Sequence, residues 1–201
     1  DEMLYAIHAG VRISVDSVSQ LRLFGMINPG GRVAFRINPG HGAGHHDKVK
    51  TAGKNTKFGI DMEYIPEVKK IAEEYNLRII GINQHVGSLF MEGDAYLQSA
   101  ENTFRIASQF EDLEFVDLGG GFGIPYKKQS HQSRLDLKVL GDHLSVIKQK
   151  WTTGNRKKIE VKIEPGRYII AEASVLLGQV NPVKENYATK YIGYAPGFNM
   201  L

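Results

Sequence analysis

Residues 114–118 form a short apolar segment that runs directly into Gly119, Gly120 and Gly121. The apolar side chains of this segment predict a strand of a covered sheet. Glycine has no side chain to pack and loses the most backbone entropy on ordering, so we expect the strand to end before Gly119. A backbone without Cβ atoms can bring its N–H groups close to an anion. The run therefore predicts a phosphate-binding loop, with a flexible turn as the alternative.

Polar residues follow three further predicted strands, at the point where each strand ends. They are Asn38-Pro39-Gly40, His85-Val86-Gly87-Ser88 and Glu164-Pro165-Gly166-Arg167. The glycine amides and the Ser88 hydroxyl could hold a phosphate, and Arg167 could add a charge-assisted contact. His85 could stack as a flat ring, and Glu164 could accept a proton from a ring nitrogen. The set suits an aromatic ligand that carries an anionic group.

Each of these side chains also has an ordinary structural interpretation. His85 could be a hydrogen-bonded structural residue, and Ser88 could cap the helix that follows it. Glu164 and Arg167 could pair with each other. The presence of all of them at successive strand ends favours function over structure. The cluster His41, His45, His46 and Asp47 lies in a glycine-rich loop without a rigid element to fix ligand geometry, so we predict no metal site.

The elements that must position these residues alternate along the chain. Strands are predicted at residues 11–15, 32–37, 78–83, 114–118 and 159–163, and helices at 1–9, 17–24, 61–75, 92–110 and 135–151. Two further strand-like segments, 168–183 and 187–194, follow without an intervening helix. Alternating strands and helices predict a parallel α/β sheet, and ligands bind at the carboxyl ends of such strands.

Five strand–helix units cannot close an eight-stranded barrel, so we expect the chain to be part of a longer protein. A Rossmann sheet is the alternative, but no Gly-x-Gly-x-x-Gly opens a helix with an acidic residue about 20 positions later.

The 201 residues carry a net charge of +3 and no cysteine. Scattered basic residues argue against nucleic-acid binding, and no apolar run approaches the ~20 residues of a membrane span. We expect a cytoplasmic protein without disulfides.

Several segments together resemble the fold-type III pyridoxal-phosphate-dependent decarboxylases of basic amino acids. They are Val15-Asp16-Ser17, Arg36-Ile37-Asn38-Pro39-Gly40, Lys57-Phe58-Gly59-Ile60, His85-Val86-Gly87-Ser88, residues 117–123 and Glu164-Pro165-Gly166-Arg167. The loop with Ala43-Gly44-His45 and Lys57-Phe58-Gly59 is similar to the branch that converts meso-diaminopimelate to L-lysine and carbon dioxide. The resemblance covers nearly the whole chain.

The resemblance implies a role for each residue of the candidate site. His85 would stack on the ring of pyridoxal 5'-phosphate, and Glu164 would pair with the protonated ring nitrogen; both are the expected catalytic residues. Phosphate and cofactor contacts would come from Ser88, Gly119, Gly120, Gly121, Pro165, Gly166 and Arg167. Arg167 would also contact the amino-acid substrate.

The resemblance also implies an architecture. Residues 1–167 would be the C-terminal portion of a pyridoxal-phosphate-binding (β/α)8 barrel, about strands 4–8, and residues 168–201 would end this domain and begin a β-rich one. The family's Schiff-base lysine and its acid cysteine would lie outside this chain, the cysteine donated across a homodimer. A decarboxylase of ornithine, arginine or a carrier-linked amino acid, and a non-catalytic regulatory homologue, are the alternatives. A generic phosphate-binding barrel enzyme would leave His85 and Glu164 without a shared purpose.

Overall fold

The structure is a computed structural model that describes residues 1–40, 56–126 and 132–197. It divides into two compact units, Asp1–Tyr168 and Ile169–Leu201. Strands and helices alternate through most of the first unit. In chain order they are α1 (Glu2–His8), β1 (Ser14–Val15), α2 (Val18–Ile27), β2 (Arg32–Asn38), β3 (Ile60–Asp61), α3 (Ile65–Glu74), β4 (Arg78–Asn83), α4 (Asp94–Ala107), β5 (Phe115–Gly120), α5 (Leu137–Asn155), β6 (Glu160–Glu164) and α6 (Gly166–Ile170).

The main sheet is parallel, and its strands lie side by side in the order of the chain. The order is β1-β2-β4-β5-β6, and the short β3 pairs with β2. A doubly wound sheet reverses its strand order at a switch point, whereas neighbouring strands of a (β/α)8 barrel follow one another without reversal. The predicted parallel α/β class is therefore confirmed, and the strand order is that of a barrel segment.

The two faces of this sheet differ in chemistry. One face packs against the helices in the main apolar core, which includes Phe35, Ile71, Tyr96, Val116 and Leu140. On the opposite face Ala34, Ile80 and Phe115 form a small separate cluster, with the Lys162 ammonium 4.4 Å from the Phe115 ring centroid. Side chains alternate along a strand, so Arg36, Asp117 and Glu164 lie on this second face, one step nearer the carboxyl ends.

Helix α2, which follows strand β1, begins at its predicted N-cap residue, Ser17. Ser17 Oγ accepts the Gln20 N–H at 3.2 Å, and Gln20 Oε1 accepts the Asp16 N–H at 2.7 Å. This reciprocal pair satisfies two amides at the helix start. The helix continues to Ile27, beyond the predicted end at Phe24, and the strand predicted at 11–15 is reduced to Ser14–Val15.

The predicted strand 168–183 is wrong over most of its length. Tyr168 lies in the short helix α6, and a strand, β7, begins only at Val180 and ends at Asn186. An apolar run does not by itself distinguish a strand from a helix.

β7 pairs antiparallel with β8 (Thr189–Tyr194), and both turn residues, Tyr187 and Ala188, have positive φ. Within the described ranges, no helix combines the length and apolarity that crossing a membrane requires.

Candidate active site

The carboxyl ends of β4, β5 and β6 bring three predicted site segments together. Asn83 of β4 is the register partner of Asp117 in β5, and Gly120 of β5 is the partner of Glu164 in β6. The Gly120 N–H also donates to His85 Nδ1 at 3.3 Å. His85, the glycine run and Glu164 therefore meet at one edge of the sheet, where ligands of parallel α/β proteins bind.

The glycine run is part of the strand, so the prediction that the strand ends before Gly119 is wrong. β5 includes Gly119 and Gly120. A Cβ atom on Gly119 would collide with the Gln84 carbonyl oxygen, and one on Gly120 would collide with that of Glu164. Each glycine thus lets the backbone of a neighbouring segment approach more closely than any side chain would permit. Gly121 has the same relation to Gly87.

The first two amides of the run already have partners within the protein. The Gly119 N–H donates to Asp117 Oδ1 at 2.9 Å, and the Gly120 N–H donates to His85. Gly119 and Gly121 have φ values of +68° and +96°, a region that favours glycine. The partners of these amides and the pairing of β5 with its neighbours argue against the alternative of a flexible turn.

His85 is half-buried beside the glycine run. Its Nδ1 accepts a hydrogen bond, so the neutral ring carries its proton on Nε2. Burial, and then the positive charge of Arg36, lower the pKa of His85, while Asp117 opposes them. Because the ordinary pKa of histidine is about 6.5, a lowered pKa keeps the ring neutral at neutral pH.

Glu164 lies beside a second carboxyl group, that of Asp117 on the neighbouring strand. Desolvation, followed by the charge of Asp117 and a hydrogen bond with its side chain, raises the pKa of Glu164, and Arg36 acts in the opposite direction. Much of the Glu164 side chain is exposed, so its desolvation is partial. Neither Asp117 nor Arg36 is assigned a role by the sequence beyond the motifs that contain them.

Ser88 does not cap the following helix, because α4 begins at Asp94 with Gly93 as its N-cap. The loop that carries Ser88 is pinned to the glycine run instead. The Phe90 N–H donates to the Gly121 carbonyl at 3.1 Å, and the Gly123 N–H donates to the Phe90 carbonyl at 2.9 Å. In the part of the chain that the structure describes, the half-buried Ser88 hydroxyl has no hydrogen-bond partner.

Arg167 is exposed at the start of α6 and contacts Tyr126, a residue that the sequence did not single out. Its Nη1 donates to the Tyr126 hydroxyl at 3.1 Å. Among the residues that the structure describes, Arg167 and Glu164 form no ion pair with each other, so the alternative that they simply pair is not supported. Pro165 and Gly166 connect β6 to α6.

A second group of contacts anchors the segment 57–59 to the sheet. Arg36 lies 4.9 Å from the Phe58 ring centroid, and its Nη1 is 3.8 Å from Asp16 Oδ1. The same Asp16 oxygen accepts the Gly59 N–H at 3.1 Å. The Lys57-Phe58-Gly59 motif is thereby tied to the carboxyl ends of β1 and β2.

The histidine cluster at residues 41–47 lies outside the described residues. Within the described ranges, no group of three or more His, Asp and Glu side chains is placed to hold a metal ion.

The residues at this edge fit a phosphorylated aromatic cofactor. The Ser88 hydroxyl is a donor without a partner among the described residues. The loop that carries it is hydrogen-bonded through Phe90 to Gly121 and Gly123. His85 offers a neutral ring, and Glu164 offers a carboxyl group for a ring nitrogen. Phosphate, ring and ring nitrogen each have a chemically matched group.

The chain is similar to known proteins along its whole length. The family profile described as the pyridoxal binding domain of the pyridoxal-dependent decarboxylases matches residues 1–171. A diaminopimelate decarboxylase from Methanothermobacter thermautotrophicus is 38% identical over 208 residues, which cover 100% of this chain and 48% of that protein. One from Escherichia coli is 30% identical over 195 residues, covering 95% and 45%. The chain thus spans about half the length of these relatives.

Solved structures give the same result. The crystal structure of the diaminopimelate decarboxylase from Helicobacter pylori complexed with L-lysine superposes with a TM-score of 0.85 at 25% identity, covering 98% of this chain and 50% of that one. The parallel sheet, the edge where His85 and Glu164 meet, and the profile match over residues 1–171 lead to one conclusion. The chain belongs to the pyridoxal-dependent decarboxylase family.

Proposed function

We propose that the protein containing this chain decarboxylates an amino acid with the aid of pyridoxal phosphate, and that its substrate is meso-diaminopimelate, which yields L-lysine and carbon dioxide. The observation that carries the proposal is the position of Gly120. Its N–H donates to His85, and its missing Cβ leaves room for the backbone of Glu164. A ring-stacking group and a ring-nitrogen partner are thereby held on either side of one glycine turn.

The proposed roles follow from the chemistry of each group. Ser88 and the run Gly119, Gly120 and Gly121, with Pro165, Gly166 and Arg167 beside it, bind the cofactor. His85 supports one face of the ring, and Glu164 keeps the ring nitrogen protonated through its negative charge. When bound, pyridoxal phosphate supplies the electron sink for the charge left by departing carbon dioxide. Arg167, oriented by Tyr126, contacts the substrate.

The names of the relatives support the choice of substrate. The two diaminopimelate decarboxylases named above are 38% and 30% identical to this chain, and a similar solved structure is described as complexed with L-lysine. We further propose that residues 1–167 are the C-terminal portion of the cofactor-binding barrel and that residues 168–201 end this domain and begin a β-rich one. A cytoplasmic homodimer is part of the same proposal, supported by the resemblance to the family.

The first test measures the absorbance spectrum of the purified full-length protein and its carbon dioxide release from meso-diaminopimelate, L-ornithine and L-arginine. We expect a visible band from bound pyridoxal phosphate and release from meso-diaminopimelate. Release from another amino acid alone would replace the proposed substrate. A band that is absent even after addition of pyridoxal phosphate would favour the non-catalytic homologue.

The variant Glu164→Gln tests the role of the ring-nitrogen partner. The amide is similar in shape but carries no charge, so the cofactor should stay bound while turnover falls by about 100-fold or more, the range of a single acid–base or electrostatic group. Glu160→Gln is the matched control, because it removes the same charge from the same strand and should leave turnover unchanged. Unchanged turnover in Glu164→Gln would refute the role of Glu164.

A further inference from the structure

Phe58 has no task in the proposed function, although the segment that contains it is fastened to the carboxyl ends of two strands. Strand β3 follows this segment and pairs parallel with the end of β2. Gly59 has a φ of +78°, and a Cβ atom on it would lie 2.9 Å from the backbone N of Asn38. The glycine therefore lets the chain pass close to the end of β2, and its N–H donates to Asp16 Oδ1 at 3.1 Å.

The ring of Phe58 contacts a cation that belongs to β2. Cζ of Arg36 lies 4.9 Å from the ring centroid, which is within the range of a cation–π contact. Nη1 of Arg36 is also 3.8 Å from Asp16 Oδ1, and only 21% of the Arg36 side chain is exposed. An aromatic ring and a carboxylate on two different segments thus fix the position of a side chain that has many rotamers when it is unconstrained.

Arg36 lies on the face of the sheet that carries the candidate site. Side chains alternate along a strand, and Ala34, two residues earlier, belongs to the small cluster on that face. Arg36 is the register partner of Asn83 in β4, and His85 follows Asn83 by two residues. A permanent positive charge therefore lies on the strand next to the one that leads into His85.

The charge of Arg36 acts on both candidate catalytic groups. Burial, and then Arg36, lower the pKa of His85, whereas Asp117 raises it. Burial and Asp117 raise the pKa of Glu164, whereas Arg36 lowers it. Burial, and then the charges of Asp117 and Glu164, raise the pKa of Tyr96 on α4, so this phenol stays neutral. Arg36 consequently favours a neutral His85 and an ionised Glu164, and the second is the state that the proposed role of Glu164 requires.

Two lysines also contact aromatic rings, but in different surroundings. Lys162 of β6 lies 4.4 Å from the Phe115 ring centroid and 3.5 Å from a carboxylate of its own strand. Lys57 Nζ lies 5.4 Å from the Phe58 ring centroid, and its side chain is exposed. Arg36, by contrast, is mostly buried between a ring and a carboxylate.

We propose that Phe58 is a positioning residue, whose ring holds the Arg36 guanidinium as a fixed positive charge near the edge of the sheet where His85 and Glu164 meet. The part that this charge plays in turnover rests on the proposed function, whereas the positioning itself does not. Without the ring, the guanidinium can turn toward solvent, so its effect on both groups weakens.

The test is an NMR titration of the His85 ring in the full-length protein without cofactor, with His85→Gln used to assign the signal. Because Arg36 lowers the pKa of His85, Arg36→Gln should shift the titration to higher pH. Phe58→Leu keeps an apolar side chain but removes the ring, and it should give part of the shift seen for Arg36→Gln. Phe58→Tyr keeps the ring and should titrate as wild type.

A double variant separates an effect that passes through Arg36 from general damage to the segment. If Phe58 acts through Arg36, adding Phe58→Leu to Arg36→Gln should give no further shift, whereas independent effects would add. Additive shifts, or a Phe58→Leu titration equal to that of wild type, would overturn the proposal. The comparison of Phe58→Leu with Phe58→Tyr needs no change at Arg36, so it decides the question even if Arg36→Gln fails to fold.

Phe110→Leu is the matched control. Phe110 is also a partly buried ring beside a cation, with Lys69 Nζ 5.6 Å from its centroid, but it packs against the main core. This variant should leave the titration of His85 unchanged, and a shift equal to that of Phe58→Leu would overturn the proposal. The titration needs no cofactor, so a wild-type protein that binds no pyridoxal phosphate would reject the proposed function and not the positioning of Arg36.

Discussion

The residue type at position 120 is constrained by the neighbouring segments of the protein itself. The carbonyl oxygen of Glu164 occupies the place of its Cβ, and its N–H is bonded to His85. A single substitution there would change both the strand pairing and the placement of the two candidate catalytic groups. Gly141 in α5 is the opposite case, because nothing lies within 4 Å of the position of its Cβ.

The two glycines give a matched pair of alanine variants. Gly120→Ala should lower the free energy of unfolding by about 1–3 kcal/mol, the usual effect of overpacking, because the end of β6 must move away. It should also weaken cofactor binding. Gly141→Ala should raise the free energy of unfolding by about 0.5–1 kcal/mol, because alanine is the better helix former. Urea denaturation of the full-length protein measures both, and equal stability of the two variants would contradict the collision at Gly120.

At the scale of elements, the site depends on how the segments after the strands are fastened to one another. The loop after β4 is pinned to the glycine run through Phe90, and the segment 57–59 is pinned to the sheet through Asp16. Leu89, which lies between Ser88 and Phe90, has a φ of 59°. A non-glycine residue in this region is strained and persists where its surroundings fix it, which agrees with a loop held at both ends.

Asp16→Ala should release the segment 57–59 without unfolding the sheet. The Gly59 N–H loses its acceptor, so its hydrogen exchange should become roughly fivefold faster, as expected for a hydrogen bond of about 1 kcal/mol. Asp61→Ala is the control, since Asp61 accepts the Glu63 N–H in the neighbouring 3-10 turn Met62–Tyr64. Unchanged exchange at Gly59 in Asp16→Ala would show that Asp16 does not anchor the segment.

At the scale of the molecule, the described sheet has one face covered by helices and one that carries charges. β1 and β6 are the edges of this sheet within the described ranges. Several large apolar side chains are exposed as well, including Ile170 at 67% and Leu177 at 85%. Unpaired strand edges and exposed apolar patches favour association.

We therefore expect the 201-residue chain, expressed alone, to aggregate or self-associate and to be inactive. Light scattering after gel filtration, with the full-length protein as the control, measures this directly. A soluble monomer with one cooperative thermal transition would contradict the expectation, because it would show that the charged face and the strand edges need no further cover.

Some of this architecture could be read from the sequence because its signals are local. Alternating apolar patterns placed β2, β4, β5 and β6 to within two residues, and the Ser17–Gln20 pair placed the start of α2. In a parallel sheet the carboxyl ends of strands share one edge, so polar residues after each strand predicted where His85, the glycine run and Glu164 would meet. Apolar runs without period, such as residues 168–179, carried no such signal.

Only the tertiary structure could decide how these residues contact one another. Asp117 and Glu164 belong to different strands, separated by α5, and Asp16 reaches Gly59 across 43 residues. Neither contact leaves a pattern in the neighbouring sequence. The glycine run shows the same limit: its composition predicted an open backbone, but which backbone fills the space of each missing Cβ depends on the pairing of β4, β5 and β6. The order of the elements is a property of the chain, whereas the charge state and spacing of the site arise from strands that only folding brings together.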